Sequence, residues 1–187
     1  MIGYKPLTPG RWPDLETLFG ANGACGGCWC MWWRRPKGEK WDDVKGAVNK
    51  RRFGGLVRSG RAQGVLAYDG REPVGWLAFG PRLDFPALER ARTLQCTDTE
   101  SVWSLNCMFV RRSHRCSGVG TGLIAAAVEI LATKGAKIIE AYPVKPRRGQ
   151  KIPDAFAFTG PLPAFRRLGF KPVGTRSASR QRVRLRP

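Results

Sequence analysis

The chain has 187 residues, 42% of them hydrophobic with seven Trp and nine Phe, which supplies a substantial core and excludes a disordered chain. Its 33 Lys and Arg against 14 Asp and Glu give a formal charge of +19, favouring anionic ligands or polyanionic partners through long-range steering. The charges are dispersed, so they locate no site by themselves. The opening Met1-Ile2-Gly3-Tyr4-Lys5-Pro6 has no apolar signal segment, and the longest apolar run, residues 123–132, is interrupted by Glu129. A cytoplasmic location, no membrane and reduced thiols are therefore expected for the six cysteines. No repeat or low-complexity linker divides residues 1–187, so one domain is expected.

In chain order, residues 2–7 form a short strand. Residues 12–19 form a helix, with Pro13 in the first turn and Asp14 and Glu16 at its positive end, stopped by Gly20 to Gly23. Trp41, Val44, Val48, Phe53, Leu56 and Val57 recur at helical spacing and predict a helix over 41–58, kinked at Gly54-Gly55. Residues 65–68 and 74–79 flank an Asp69-Gly70 turn and read as an antiparallel hairpin. A polar surface segment follows over 81–99, with one helical turn around 87–94. Residues 102–110 are apolar enough for a central strand. A loop over 111–117 leads to a helix over 119–134 with Gly135 as its stop, then a strand over 137–142. A long loop over 143–159, a short helix over 162–168 and strands over 170–175 and 182–185 close the chain. In the basic stretch 176–186, charges alternate with Val183 and Leu185 as on an edge strand protected from aggregation.

Arg115-Cys116-Ser117-Gly118-Val119-Gly120 opens the long helix, where unpaired amide N–H groups meet the positive end of the helix dipole. An anion fits there. A Walker loop would need Gly-Lys-Ser or Gly-Lys-Thr, which is absent, and a dinucleotide fingerprint would follow the first strand of a parallel unit rather than the fourth strand. The six residues instead resemble the Arg/Gln-x-x-Gly-x-Gly/Ala signature of the GNAT superfamily of acyl-CoA-dependent N-acyltransferases. Val110 stands five residues before the Arg, as is typical of that signature, and Phe165-Arg166-Arg167-Leu168-Gly169-Phe170 is similar to its late helix and Gly-Phe turn. Trp103 to Cys107, Glu140 to Val144 and Phe158-Thr159-Gly160 resemble bacterial GNAT proteins that carry a Cys- and Trp-rich segment near the N-terminus.

The resemblance implies an α/β (α+β) fold: a central mixed, mostly antiparallel sheet of about six to seven strands flanked by helices. It also implies acetyl-CoA as cosubstrate and direct acetyl transfer to an amine of a small molecule or protein. Carried onto this chain, the pyrophosphate-binding loop is Arg115, Cys116, Ser117, Gly118, Val119, Gly120 and Thr121, and the main chain of Met108, Phe109 and Val110 binds pantetheine and polarises the acyl carbonyl. Ser104 and Phe165 replace the base Glu and acid Tyr found in some members, so neither role transfers. By the two-residue strand period, Glu140 and Tyr142 share a face and are the candidate base and acid; their alternatives are a structural hydrogen bond and core packing. His114, the only histidine, has a phosphate contact or a solvated role as its readings, and Cys107 and Cys116 are lining thiols.

Cys25, Cys28 and Cys30 form a Cys-x-x-Cys-x-Cys run whose spacing is compatible with zinc. A fourth ligand would have to come from distant Cys96, and no metal is expected. Trp29, Trp32 and Trp33 are candidates for an aromatic wall around an apolar or cationic acceptor, the alternative being core cover. A catalytically inactive, nucleic-acid-binding module is the competing function suggested by the charge. A homodimer is left open.

Overall fold

A computed structural model describes residues 1–99, 101–145, 153, 156–174 and 180–187. The elements in order are β1 (Ile2–Pro6), α1 (Trp12–Phe19), α2 (Trp41–Val44), α3 (Ala47–Arg58), β2 (Gln63–Asp69), β3 (Glu72–Pro81), α4 (Ala87–Arg90), β4 (Val102–Val110), α5 (Val119–Thr133), β5 (Ile138–Ala141), α6 (Leu162–Arg167), β6 (Lys171–Pro172) and β7 (Val183–Leu185). They build a seven-stranded sheet in the order β1-β2-β3-β4-β5-β7-β6. All described pairings are antiparallel except β4 with β5. This is the mixed, mostly antiparallel sheet expected from the sequence.

Both sheet faces are covered, and strand alternation decides which residue faces which layer. Val65, Ala67, Leu77 and Phe79 join Leu123, Ile124, Ala127 and Leu131 of α5 and Phe165 of α6 in one core. Leu66, Tyr68, Trp76 and Ala78 turn to the opposite face, where Leu15 and Leu18 of α1 and Phe53 and Val57 of α3 cover them. Each fully buried aliphatic side chain contributes about 2 kcal/mol of apolar transfer energy, which is why the period-two pattern fixes the register.

Two expectations are corrected. The helix expected over 41–58 breaks at Lys45 (ψ 155) and Gly46 (φ 75), and α3 then runs unbroken through Gly54-Gly55. Gly54 serves packing rather than a kink: a Cβ there would lie 3.2 Å from the Trp12 ring of α1. The strand expected at the edge over 182–185 is instead interior, because β7 lies between β5 and β6. Its Val183 and Leu185 face the α5 core, while Arg184 reaches carboxylates at Glu140 and Asp98. Alternation of charge here places guanidinium groups on partners rather than guarding an edge. Residues 175–179 of the expected strand and basic stretch, and 146–152 and 154–155 of the expected loop, lie outside the described residues. The expected turn over 87–94 is reduced to α4.

Candidate active site

Two features of β4 create an opening in the sheet. Ala78 pairs with Cys107 while the next β3 residue, Phe79, pairs with Leu105, so Asn106 is an extra residue bulged out of the ladder. On its other side β4 pairs with β5 only over Val102–Leu105 against Ile138–Ala141, after which the two parallel strands part. The second half of β4, Cys107 to Val110, thus has an edge that β5 does not pair. Bulges next to functional sites bend a strand and re-aim its groups, and this one lies where pairing with β5 ends.

The opening leads into a cavity of about 1280 Å³ that also takes in His114, Arg115, Cys116 and Gly120 of the loop before and into α5. That volume exceeds the usual 300–1,000 Å³ of a single small-molecule site. Its other walls come from Trp32, Trp33 and Trp41, from Ala87, Arg90, Ala91 and Leu94 in and after α4, and from Phe156, Phe158 and Pro161.

The loop is shaped for an anion. Gly118 is left-handed at φ +89 and caps α5, so the amide N–H groups of the first helical turn have no acceptor within the helix. A Cβ on Gly118 would meet no other protein atom; the demand for glycine is conformational, together with room for a ligand. Ser117 Oγ donates to the His114 carbonyl at 2.6 Å and Arg115 Nε to the Val110 carbonyl at 3.0 Å, which ties the loop to the end of β4. His114 sits between Ser113 Oγ at 2.8 Å and Asp69 Oδ2 at 3.3 Å.

The three β4 residues expected to present their main chain are not equivalent. The Met108 amide donates to the Phe158 carbonyl at 2.6 Å, so its N–H is already used. Arg111 donates to Val74 of β3, and the two-residue period then turns the Phe109 N–H toward β3 and the Val110 N–H toward the cavity. Phe158 is held there by the turn that ends at Gly160, whose φ of +76 favours glycine and where an added Cβ would run into Met108 and the Phe165 ring.

Glu140 and Tyr142 come together as the strand period requires, but neither lines the cavity. Both are fully buried. Glu140 Oε1 accepts from Arg82 at 2.5 Å and from the Tyr142 hydroxyl at 2.9 Å, and Oε2 accepts from Arg184 at 2.6 Å and Arg182 at 3.4 Å. Ser104 Oγ lies 2.7 Å from the same hydroxyl. Burial, with the charge of Glu140 next to it, pushes the Tyr142 pKa well up, so the hydroxyl is a neutral donor. This network joins the residue after β3, the middle of β4, β5 and β7 below the opening. Arg82, Arg182 and Arg184 lie too far along the chain for strand periodicity to have found them.

The Cys and Trp segment is divided. Trp29 is buried against Trp12 (5.8 Å) and Phe19 (5.4 Å) on the α1 face and does not reach the cavity. Trp32 and Trp33 do line it; Trp33 Nε1 donates to the Asn106 carbonyl at 3.0 Å, tying this segment to the bulge. Cys30 lies 3.3 Å from Cys107 Sγ and accepts from Trp76 Nε1 at 3.1 Å. Burial and then neighbouring Cys30 push the Cys28 thiol up to about 12. Cys96, the distant ligand considered for zinc, is elsewhere: its thiol is raised by burial and by Glu140. Among the described residues no group of three or more His, Cys, Asp or Glu could hold a metal ion, and no helix is long and apolar enough to cross a membrane.

The fold is shared with solved structures. The fold superposes on an acetyltransferase of the GNAT family from Streptococcus pneumoniae (TM-score 0.57, 11% identity, covering 100% of each chain). It also matches PaiA N-acetyltransferase from Thermoplasma acidophilum, solved in complex with coenzyme A (TM-score 0.54, 12% identity, 100% of this chain and 99% of that one). A GNAT family acetyltransferase from Brucella melitensis, solved in complex with acetyl-CoA, is similar at a TM-score of 0.53 and 16% identity over 100% of this chain and 90% of that one. No curated protein matches the chain. The model of the acetyltransferase (GNAT) family matches residues 28–149, which run from the Cys and Trp segment through β4, the glycine loop and β5. The chain therefore belongs to the GNAT family of acetyltransferases.

Proposed function

We propose that the protein transfers acetyl from acetyl-CoA directly to an amine, with the donor along the β4 edge that β5 does not pair and the acceptor between Trp32, Trp33 and the α4 segment. The observation that carries this reading is the continuity of the cavity from Arg115, Cys116 and Gly120 of the loop, past Cys107 beside the bulge, to Trp32 and Trp33; Ser117, Gly118, Val119 and Thr121 of the loop are not among its lining residues. Residues 115–121 would hold the pyrophosphate through backbone donors, and the Val110 N–H would face pantetheine or the acyl carbonyl. Acetyl-CoA supplies an activated thioester; the protein has to position the amine and keep it uncharged.

For that second task the cavity has an electrostatic means. Among the described residues that line it there is no carboxylate, whereas Arg35, Arg90, Arg115 and Arg180 are present. Positive surroundings disfavour an ammonium ion, so the acceptor would shed its proton to solvent on entry without a dedicated carboxylate base. Glu140 and Tyr142 then act as positioning residues that lock β4 to β5 and β7, so the strands part at a fixed point. Cys107 stays a wall thiol: the Cys30 contact and then burial raise its pKa well above the ordinary value, which suppresses the thiolate an acyl-enzyme would require.

The test is amine-dependent release of free CoA thiol from acetyl-CoA across a panel of amines. Thiol release matched one to one by N-acetylated product supports the reading; acetyl-CoA binding without any amine-dependent release contradicts it. The nucleic-acid alternative predicts salt-sensitive RNA binding instead.

A further inference from the structure

Two arginines that line the cavity, Arg35 and Arg90, have no carboxylate partner among the described residues. Arg90 donates to the Arg35 carbonyl at 2.5 Å, which keeps the two side by side. The Arg35 guanidinium lies 4.8 Å from the Trp32 ring centroid and 5.9 Å from that of Trp41, and those rings meet edge to face at 5.1 Å. Its Nε is buried with no acceptor. An orphaned buried donor on a charged group is costly, and native proteins retain one mainly where a ligand, ion or water completes it. Among the described lining residues there is no Asp or Glu to attract a polycation.

We propose that the acceptor is a ring-bearing amine that also carries an oxyanion, either a carboxylate or a phosphonate. Arg35 and Arg90 take the oxyanion, a planar fork suited to such groups, while Trp32 and Trp33 take the ring. The reacting amine is left toward the bulge at Asn106, beside the β4 edge. The proposal rests on the acetyl-transfer reading and narrows it: polyamines and basic protein tails are excluded as preferred acceptors. It also reverses the cationic acceptor that the tryptophans alone suggested, because a cation held on the rings would face Arg35 and Arg90 with no counter-charge.

Calorimetric titration of four probes into the CoA-saturated protein tests it: indole-3-propionate, its phosphonate counterpart, tryptamine and spermidine. The carboxylate or the phosphonate, or both, bind at least about tenfold more tightly than tryptamine, and the comparison between these two identifies the oxyanion preferred. Arg35→Gln and Arg90→Gln each reduce that ratio by about fivefold or more, and the double substitution brings it near one. The readout is a ratio on one protein sample, so a variant that is partly unfolded lowers all affinities without moving it. Tryptamine or spermidine binding as tightly as the anions, or a preference that survives the double substitution, overturns the proposal. CoA is titrated separately: failure of CoA to bind overturns the acetyl-transfer reading and with it the acceptor role of the oxyanion, whereas CoA binding with no anion preference overturns this proposal alone.

Discussion

Glu140 holds one negative charge among Arg82, Arg182 and Arg184, with the Arg82 side chain only 1% exposed. Removing one member of such a buried group strands the others, at a cost of about 3–5 kcal/mol. Glu140→Gln is therefore expected to lower stability in urea by about 3 kcal/mol or more, while acetyl-CoA affinity of the folded fraction stays within about twofold. Lost turnover at unchanged stability and affinity would instead make Glu140 the base. A second outcome concerns pH: burial and neighbours hold the Cys28 thiol up to about 12, and hold Cys107 and the Tyr142 hydroxyl well above their ordinary values. The unfolded chain releases these protons earlier, so their contribution is full below about pH 9 and is lost as pH rises toward the folded values. A urea midpoint lower near pH 10 than near pH 7 is expected; a midpoint that rises would contradict these assignments. Strand periodicity made the shared face of Glu140 and Tyr142 legible in the sequence. Which layer that face met was not, because its partners come from Arg82 after β3 and Arg184 in β7.

At the scale of elements, α3 contains a pair of adjacent glycines with opposite roles. A Cβ at Gly54 would press on Trp12 and Arg58 at 3.2 Å, whereas one at Gly55 would meet nothing within 4 Å. Gly55→Ala in this helix interior is expected to stabilise by about 0.5–1 kcal/mol, and Gly54→Ala to gain less or to destabilise as Trp12 gives way. Equal gains, read from urea midpoints, would contradict the close approach of α1 to α3. Helical spacing of Val44, Val48 and Phe53 was visible in the chain, but a tertiary constraint relocates the break. The Gly46 amide donates to the Gly27 carbonyl at 2.9 Å, and that carbonyl also accepts from Asn49, so the chain turns at Gly46 to meet the Cys and Trp segment. Similarly, alternating Val183 and Leu185 marked β7 as a strand, whereas its interior place depended on pairing with β5, which no local pattern encodes.

For the whole molecule, a sheet covered on both faces is opened where β4 and β5 part. The glycine loop, the long helix behind it and the β4 strand before it were legible because each rests on local chemistry: positive φ, helical periodicity and a continuous apolar run. The cavity wall was not, since Trp32, Trp33, Arg35 and Arg90 come from segments that flank the sheet in space and are scattered in sequence. The charge of +19 adds long-range attraction for an anionic donor but does not select one. In the proposed reading, selection falls to the loop before α5. The most direct measurement is calorimetric titration of acetyl-CoA into the wild-type protein and into Gly118→Asp, which places a side chain and a negative charge on a φ of +89 at the mouth of the loop. Binding to the wild type, weakened at least about tenfold in the folded variant, is the result predicted; equal affinity in the two proteins would contradict the assignment of this loop to the donor.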